Sequence, residues 1–366
     1  MENYSMPNEE STSVVFVDAN DACTFASTLL IGRGVSADDA QAVAKCLVEA
    51  DLRGVQTHGM SRLPIYVKRV EQGLVNPVPN MRLYKPLAAC ASLDGDNGFG
   101  FLVGIRAMQE AIVMAEPSGV GVVSAHNSNH FGMAATYLLQ AVAAGYFAFV
   151  FTNAAKSMPP WGGREGLLGT SPLGAAAPAG KLPPFVLDMS PAVAARGKIR
   201  LAEKRSESIP EGYALDENGQ STNDPTAALR GVVLPIGTYK GSGISILMEI
   251  LSGVLSGANF AGDVPDQYTV MDRPQNVGHF FMAMKPGLFV TERGFRARMD
   301  TLISRVKANP LASGFDEILI PGEIEARLEN ERRKTGIPYA CSDIELLAKL
   351  ASDYGVPEMK TKTLKE

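Results

Sequence analysis

The sequence predicts an α/β fold, and three observations carry that prediction. From about residue 80 onward short apolar runs alternate with segments of helical periodicity: AACASLD then FLVGIRAMQEAIVMA, GVGVVSA then FGMAATYLLQAVAAG, then YFAFVFT. Such alternation marks helices packed on a sheet. The 366 residues, 46% of them hydrophobic, suffice for two or three packed units, since domains usually run to roughly 100–200 residues. No internal repeat or low-complexity stretch points to a solenoid or a long linker instead.

Taken in order, a polar start (MENYSMPNEESTS) gives way to VVFV at 14–17, a short strand candidate. Two helices follow, DACTFASTLLIG and SADDAQAVAKCLVEADLRG, the second opened by Ser36 with Asp39 three residues on, the form of a capping box. Thr57 is the next N-cap candidate, and Leu63, Tyr66, Val67 and Val70 recur at helical spacing until Gly73. Asn76-Pro77-Val78-Pro79 then separates this helical start from the alternating region. Residues 153–183, rich in Pro, Gly and Ala, read as a long ordered loop of the kind that carries function. PFVLDMS (184–190) is a strand ending in polar groups, followed by a helical piece around AVAARGKIRLAEKR, the turns of GYALDENGQSTNDP, the strand GVVLPIG and the apolar helix ISILMEILSGVLSG. A strand in GHFFMAMKPGLFV, an Arg-bearing helix in GFRARMDTLISRVKA, the strand EILIPGE and two helices close the chain, with MKTKTLKE expected to fray.

Charge and cysteine content narrow the function classes. A net charge of -5 argues against nucleic acid or an anionic membrane surface as partner. Cys23, Cys46, Cys90 and Cys341 form no CxxC pair, which speaks against a disulfide framework and a zinc cage. No basic-then-apolar leader and no run approaching the ~18 apolar residues of a membrane span is present. A soluble, cytoplasmic protein is expected.

Chemistry is suggested first by DLRGVQTHGMSRLPIYVKRV, residues 51–70, where His58 and Arg62 stand four apart and share one face if the segment is helical. An imidazole suits proton transfer and a guanidinium grips a carboxylate through two parallel hydrogen bonds. The competing reading is a decorated, solvated helical face. Thr57 either relays a proton or caps the helix. His126 and His130 repeat the four-residue spacing, yet neither an HExxH glutamate nor a third ligand accompanies them, so no metal is expected. GDNGFGFLVG (95–104) lacks the GxGxxG fingerprint and no GxxxxGK[ST] occurs, so a Rossmann site is not supported. GTYKGSGISIL (237–247), with Lys240 before an apolar helix, fits either a phosphate or a flexible loop. Without a GxSxG elbow, serine hydrolysis drops down the order.

Several segments nevertheless follow one another in a telling order: GVQTHGMSRLPIY, DGDNGFGFLVGIRAM, NSNHFGMAATY, FTNA with PPWGG, LGTSPLGAAAP, FVLDMSPAVAARGKI, LPIGTYKGSGISILMEILSG, GHFFMA and PGE. Together, from about residue 15 to about 355, the chain resembles the malate/L-lactate dehydrogenase family of NAD(P)-dependent oxidoreductases. That resemblance implies a non-Rossmann, mixed and largely antiparallel sheet as cofactor domain (80–287, with cofactor and substrate loops in 126–183) and a helical domain built from both chain ends (1–79 plus 288–366). It implies NAD or NADP as cofactor, a homodimer with sites near the subunit interface, and a small carboxylate substrate.

By the same resemblance His58 matches the proton donor of an SHG motif, here THG with Thr57 in place of serine, and Arg62 matches the substrate-carboxylate clamp. His130 with Phe131, Gly132, Met133 and Ala134 matches a cofactor loop, and His130 is the rival acid/base. Thr170 matches a substrate-side position. Asp188, Met189, Ser190, Tyr239, Lys240, Gly322 and Glu323 match cofactor-binding positions. A helix N-terminus would lower the His58 pKa and a bound carboxylate would raise it. The expected reaction is hydride transfer between nicotinamide and the carbon beside the carboxylate of a small 2-oxo or 2-hydroxy acid. Reduction of a cyclic imino acid such as piperideine- or pyrroline-2-carboxylate is the alternative within enzymes, and a cofactor-binding homologue without turnover the alternative from another class.

Overall fold

The computed structural model describes residues 14–362, so the polar start MENYSMPNEESTS and the last four residues of MKTKTLKE lie outside the described residues. Helix formation at the N-terminal side follows its caps. Asp18 accepts the Asn20 N–H at 2.8 Å to open Ala19–Ile31. Ser36 accepts the Asp39 N–H at 3.2 Å while donating its hydroxyl to the Asp39 carboxylate at 2.8 Å, opening Ala37–Leu52. Both helices bury one apolar stripe, Phe25, Leu29 and Leu30 against Val43, Ala44 and Leu47. The same core takes in Ile337, Tyr339, Leu347 and Ala351 from the far end of the sequence. Chain ends meet again in a small sheet, where Val14–Val17 pairs antiparallel with Ile337–Ala340 and with Thr361–Lys362. Thr361 and Lys362, expected to fray, are therefore held as a strand.

Between Gln56 and Glu71 the backbone departs from the expected single helix. Two 3-10 turns, Gln56–His58 and Met60–Arg62, precede a helix that begins only at Leu63. Gly59 breaks the run with ψ at −149°, and the buried Asp51 carboxylate accepts the Met60 N–H at 2.9 Å. Thr57 caps no helix; its hydroxyl turns to the His58 ring instead.

The central sheet has seven strands in the order Arg82–Leu87, Cys90–Asp94, Val120–Ser128, Val277–Met284, Phe147–Thr152, Leu173–Ala177 and Phe185–Met189. Only the Cys90–Asp94 and Val120–Ser128 pair is parallel. This is the mixed, largely antiparallel sheet that the resemblance implies. Two of its strands escape the sequence pattern. Arg82–Leu87 is an edge strand exposed along most of its length, so alternation is absent, and Pro86 suits an edge whose outer N–H groups need no partner. Leu173–Ala177 lies inside the stretch read as loop, its Gly and Ala content hiding a strand buried on both faces. EILIPGE forms no strand; Gly322 sits at φ +91° and the segment meets the sheet through the Pro321 carbonyl, which accepts the Val186 N–H at 2.9 Å.

One face of the sheet is covered by the helices Gly100–Ser118 and Ala135–Ala143, which bury Val103, Met108, Tyr137 and Leu138 over Leu93, Val123 and Phe281. Against Val277–Met284 and Phe147–Thr152 packs a π-helical turn, Glu249–Val254, which continues the helix Tyr239–Met248. Glycines permit these approaches: a Cβ on Gly121 would fall 2.0 Å from the Ala111 carbonyl oxygen. Since that neighbour is helix backbone and cannot swing away, Gly121→Ala is expected to lower stability by about 1–3 kcal/mol, as overpacking typically does. A shift of the urea midpoint to lower concentration at unchanged slope would show it, and an unmoved midpoint would refute the close packing described.

Candidate active site

The turns around Gly59 and the ends of the central strands enclose a cavity of about 840 Å³. His58, Arg62 and Thr57 enter from the turns, His130 to Ala134 from the segment after Val120–Ser128, Asp188 and Ser190 from the end of Phe185–Met189, and Thr170 and Gly322 from loops. His58 and Arg62 thus share a site although no helix aligns them. Their rings and charges are closely coupled. The imidazoles of His58 and His130 stack with centroids 5.5 Å apart and planes at 19°.

Each imidazole has one nitrogen already engaged. Thr57 Oγ1 meets His58 Nδ1 at 2.9 Å. His130 Nδ1 lies 2.7 Å from the Tyr66 hydroxyl and 3.3 Å from the Gly132 amide nitrogen. An amide N–H can only donate, so His130 Nδ1 is an acceptor and the neutral ring carries its proton on Nε2. Gly132 reaches this position at φ +76°, where a Cβ would strike the Phe101 ring at 2.3 Å. Arg62 donates its Nε–H to the Thr57 carbonyl, and its guanidinium lies 5.7 Å from the Tyr268 ring centre. Tyr66 appears in the sequence only as one apolar position of a helical stripe. Its hydroxyl, one turn beyond Arg62, could have been noticed there, whereas Tyr268 and Gln275, which accepts the His130 N–H at 3.2 Å, arrive from a distant loop with no local signal.

Enclosure, and then the neighbouring Arg62 cation, press the His58 pKa down to about 3. Burial likewise pushes His130 well below its ordinary value, with Arg62, His58 and His279 adding to it. The lowering expected for His58 is present, but its source is enclosure and a guanidinium, since no helix N-terminus faces the ring. His279 is a core histidine, stacked on Phe131 at 4.8 Å and bonded to Thr152 and Ser128 hydroxyls at 2.7 and 2.8 Å. Among the described residues no group of His, Cys, Asp and Glu could hold a metal.

The cavity suits a dinucleotide. Its lining includes the buried Ser157 hydroxyl, which has no hydrogen-bond partner among the described residues, and the cations Lys156, Arg196 and Arg200. Gly197 adds open room, with no atom within 4 Å of a Cβ position. Asp188 accepts the Ala135 N–H at 2.8 Å, tying the cofactor loop to the strand end. Four residues matched by resemblance stand outside the lining. Met189 points elsewhere, Tyr239 and Lys240 are exposed on the helix start, and the Glu323 carboxylate is taken up by Lys307 at 2.7 Å and Arg327 at 2.6 Å.

Two imidazoles beside a guanidinium, in a cavity of dinucleotide size at the strand ends of a non-Rossmann sheet, are the groups a dehydrogenase of small acids requires. The malate/L-lactate dehydrogenase family model matches residues 17–348, and the chain belongs to that family. An L-sulfolactate dehydrogenase of Methanocaldococcus jannaschii is 38% identical over 88% of this chain and 92% of its own. A solved sulfolactate dehydrogenase structure from that organism has a TM-score of 0.89 at 36% identity, covering 93% of this chain and 98% of the other. The malate dehydrogenase structure from Pyrococcus horikoshii has a TM-score of 0.88 at 33% identity, covering 98% and 100%. The delta1-piperideine-2-carboxylate reductase structure from Pseudomonas syringae has a TM-score of 0.82 at 25% identity, covering 92% and 99%.

With His58 neutral at neutral pH, a carboxylate arriving at Arg62 should raise its pKa and draw in a proton. Calorimetric titration of oxalate into the protein with NADH, near pH 6.5 in buffers of different ionisation enthalpy, should report net proton uptake. Heats independent of the buffer would show that the anion and the imidazole are not coupled.

Proposed function

We propose that the protein transfers hydride between a bound nicotinamide and the carbon beside the carboxylate of a small 2-oxo or 2-hydroxy acid. The observation that carries this reading is the placement of the His58 and His130 imidazoles beside a guanidinium that is anchored through Nε alone. Tied to the Thr57 carbonyl, Arg62 makes no hydrogen bond from its terminal nitrogens to a described residue. Both are available for a bidentate carboxylate, which fixes the substrate and the face it presents. When bound, the nicotinamide supplies the hydride.

His58 then holds the proton for the developing alkoxide. Its Nδ1 is occupied by Thr57, so Nε2 faces the substrate, and the exposed Thr57 hydroxyl offers a relay to water. His130, neutral with Nε2–H outward, polarises the same oxygen as a hydrogen-bond donor. Thr170 and Ser190 border substrate and cofactor, and the segment from His130 to Ala134, with Asp188 and Gly322, forms the cofactor wall. Relatives named for NAD and for NADP both match this chain, and either cofactor fits a cavity lined by cations and carboxylates alike. A cyclic imino acid would present the same carboxylate to Arg62, and the similarity to a piperideine-2-carboxylate reductase favours that as the second reading.

The protein works, in this reading, as a homodimer. The helix Tyr239–Met248 and its π-helical extension expose Ile246, Leu247, Ile250, Val254 and Leu255, an apolar stripe that a second copy would cover. Tyr239 and Lys240, at the head of that helix, then sit at the subunit contact and reach cofactor only through assembly.

Oxidation of NADH and NADPH with pyruvate, oxaloacetate, sulfopyruvate and piperideine-2-carboxylate separates the readings, with a 2-oxo acid expected as the best substrate. Arg62→Ala should cut kcat/KM about a hundredfold, from two charge-assisted hydrogen bonds at about 1.5 kcal/mol each. His58→Ala should lower kcat by about 10²–10⁴, the usual worth of a general acid. Wild-type turnover by that variant would transfer the role to His130.

A further inference from the structure

The turn that carries His58 and Arg62 has no helical hydrogen bonds across Gly59 to hold its shape. Two side chains span it, Ser61 Oγ donating to the Gln56 carbonyl at 2.9 Å and Arg62 Nε to the Thr57 carbonyl, and a buried carboxylate ties it to the rest of the fold. Asp51, at the end of the helix Ala37–Leu52 and 1% exposed, accepts the Met60 N–H at 2.9 Å and the Tyr339 hydroxyl at 2.7 Å, both on Oδ2. The other oxygen is buried without a hydrogen-bond partner, pressed against the turn where a Cβ on Gly59 would lie 1.7 Å from it. Gly59 and Met60 are two of the three residues between His58 and Arg62. The strand Ile337–Ala340 supports the turn a second time, its Pro338 carbonyl accepting from Gln56 Nε2 at 3.0 Å. That strand is itself fixed, with Ile337 and Tyr339 in the core shared by both chain ends and Val14–Val17 paired alongside.

We propose that Asp51 is a positioning residue for the reaction: its carboxylate locks the turn bearing His58 and Arg62 onto Tyr339, so the C-terminal strand sets the reach of proton donor and carboxylate clamp. This rests on the roles proposed above for those two residues. Burial raises the Asp51 pKa to about 7 despite the Met60 N–H and the Tyr339 hydroxyl, a cost that a turn needing only bulk beneath it would not carry. The two acceptor bonds act on adjacent sides of the same oxygen. Loss of either frees the turn to shift against the strand Ile337–Ala340, and a displacement near 1 Å at reacting groups costs up to about a hundredfold in rate.

The test compares Asp51→Ala, Asp51→Asn and Tyr339→Phe in the full chain, each checked for folding by circular dichroism. Turnover with the best substrate of the panel, oxalate affinity of the NADH complex and NADH affinity alone are measured. Asp51→Ala should raise KM and weaken oxalate binding by about tenfold or more and lower kcat, while NADH affinity changes less than about twofold. Asp51→Asn, whose amide oxygen in the Oδ2 position still accepts from both the Met60 N–H and the Tyr339 hydroxyl, should recover most of both. Tyr339→Phe should fall between them, and it decides the matter if Asp51→Ala does not fold. Unchanged KM and oxalate affinity in folded Tyr339→Phe and Asp51→Ala would overturn the proposal, as would NADH affinity falling in parallel with a deficit that Asp51→Asn does not repair. Wild-type turnover by His58→Ala would instead fault the acid assignment, and oxalate affinity still reads the position of Arg62 in that event.

Discussion

The chemistry of the site depends on one cation placed beside two enclosed imidazoles. On the proposed roles Arg62 attracts the substrate carboxylate, while burial first and the Arg62 cation second hold the pKa values of His58 and His130 below their ordinary value. A free enzyme with charged imidazoles would face the guanidinium with like charge in a cavity of low dielectric, which is costly. Substrate binding removes that conflict, because the incoming anion balances the guanidinium and makes a protonated His58 affordable at the same moment that a proton is needed. On the proposed roles, His58 is thus loaded with its proton by the ligand it serves. Tyr66, on the helix that follows Arg62, adds its hydroxyl to the His130 Nδ1 that the Gly132 N–H defines as an acceptor.

Holding three such groups in register asks for a rigid frame on every side. The cofactor loop is tied at its start by Gln275 on His130 and at its end by Asp188 on Ala135. Both partners lie downstream, 145 and 53 residues away along the chain. The catalytic turn is tied through Asp51 to a strand 288 residues further on. An antiparallel-dominated sheet makes such distant pairings possible without the βαβ crossovers that a Rossmann sheet uses, since neighbouring strands enter from either direction. The consequence is that neither chain end can be regarded as a dispensable appendage to the site.

Much of this was legible beforehand, and what was not had physical reasons. Periodicity located the helices Ala19–Ile31 and Ala37–Leu52, and the cap Ser36 the start of the second, because these signals are local: Ser36 meets an amide three residues away, whereas the Asp18 cap of the first helix went unread. Motif order pointed to the family and to the mixed sheet, which pattern alone did not distinguish from a parallel one. The 3-10 turns at Gln56–Arg62 were hidden because the same four-residue spacing that places His58 and Arg62 on one helical face also survives a break at Gly59. The strand Leu173–Ala177 was hidden by Ala and Gly, which carry no β signature yet fit where a Cβ on Gly174 would lie 3.0 Å from Leu138 and from the Val150 carbonyl oxygen. EILIPGE misled in the other direction: an apolar run next to Pro321 and a left-handed Gly322 covers the sheet edge at Val186 without joining its ladder.

Thr57 shows how local reading and three-dimensional context can exchange roles. From sequence its hydroxyl is an N-cap, and the methyl that distinguishes it from serine is a mild liability for any relay. In the structure there is no helix N-terminus for it to cap, because Arg62 occupies the cap position of Leu63–Glu71 without a side-chain hydrogen bond. Thr57 instead uses both of its polar groups inside the site, the hydroxyl on His58 and the carbonyl on Arg62. Side chain and backbone of one residue therefore orient the two groups assigned to proton transfer and carboxylate binding. The methyl lies on an exposed residue, where an extra carbon displaces only water. What the turn requires at this position is an oxygen on the β-carbon, and threonine supplies it as serine would, with the added stiffness of a β-branched side chain.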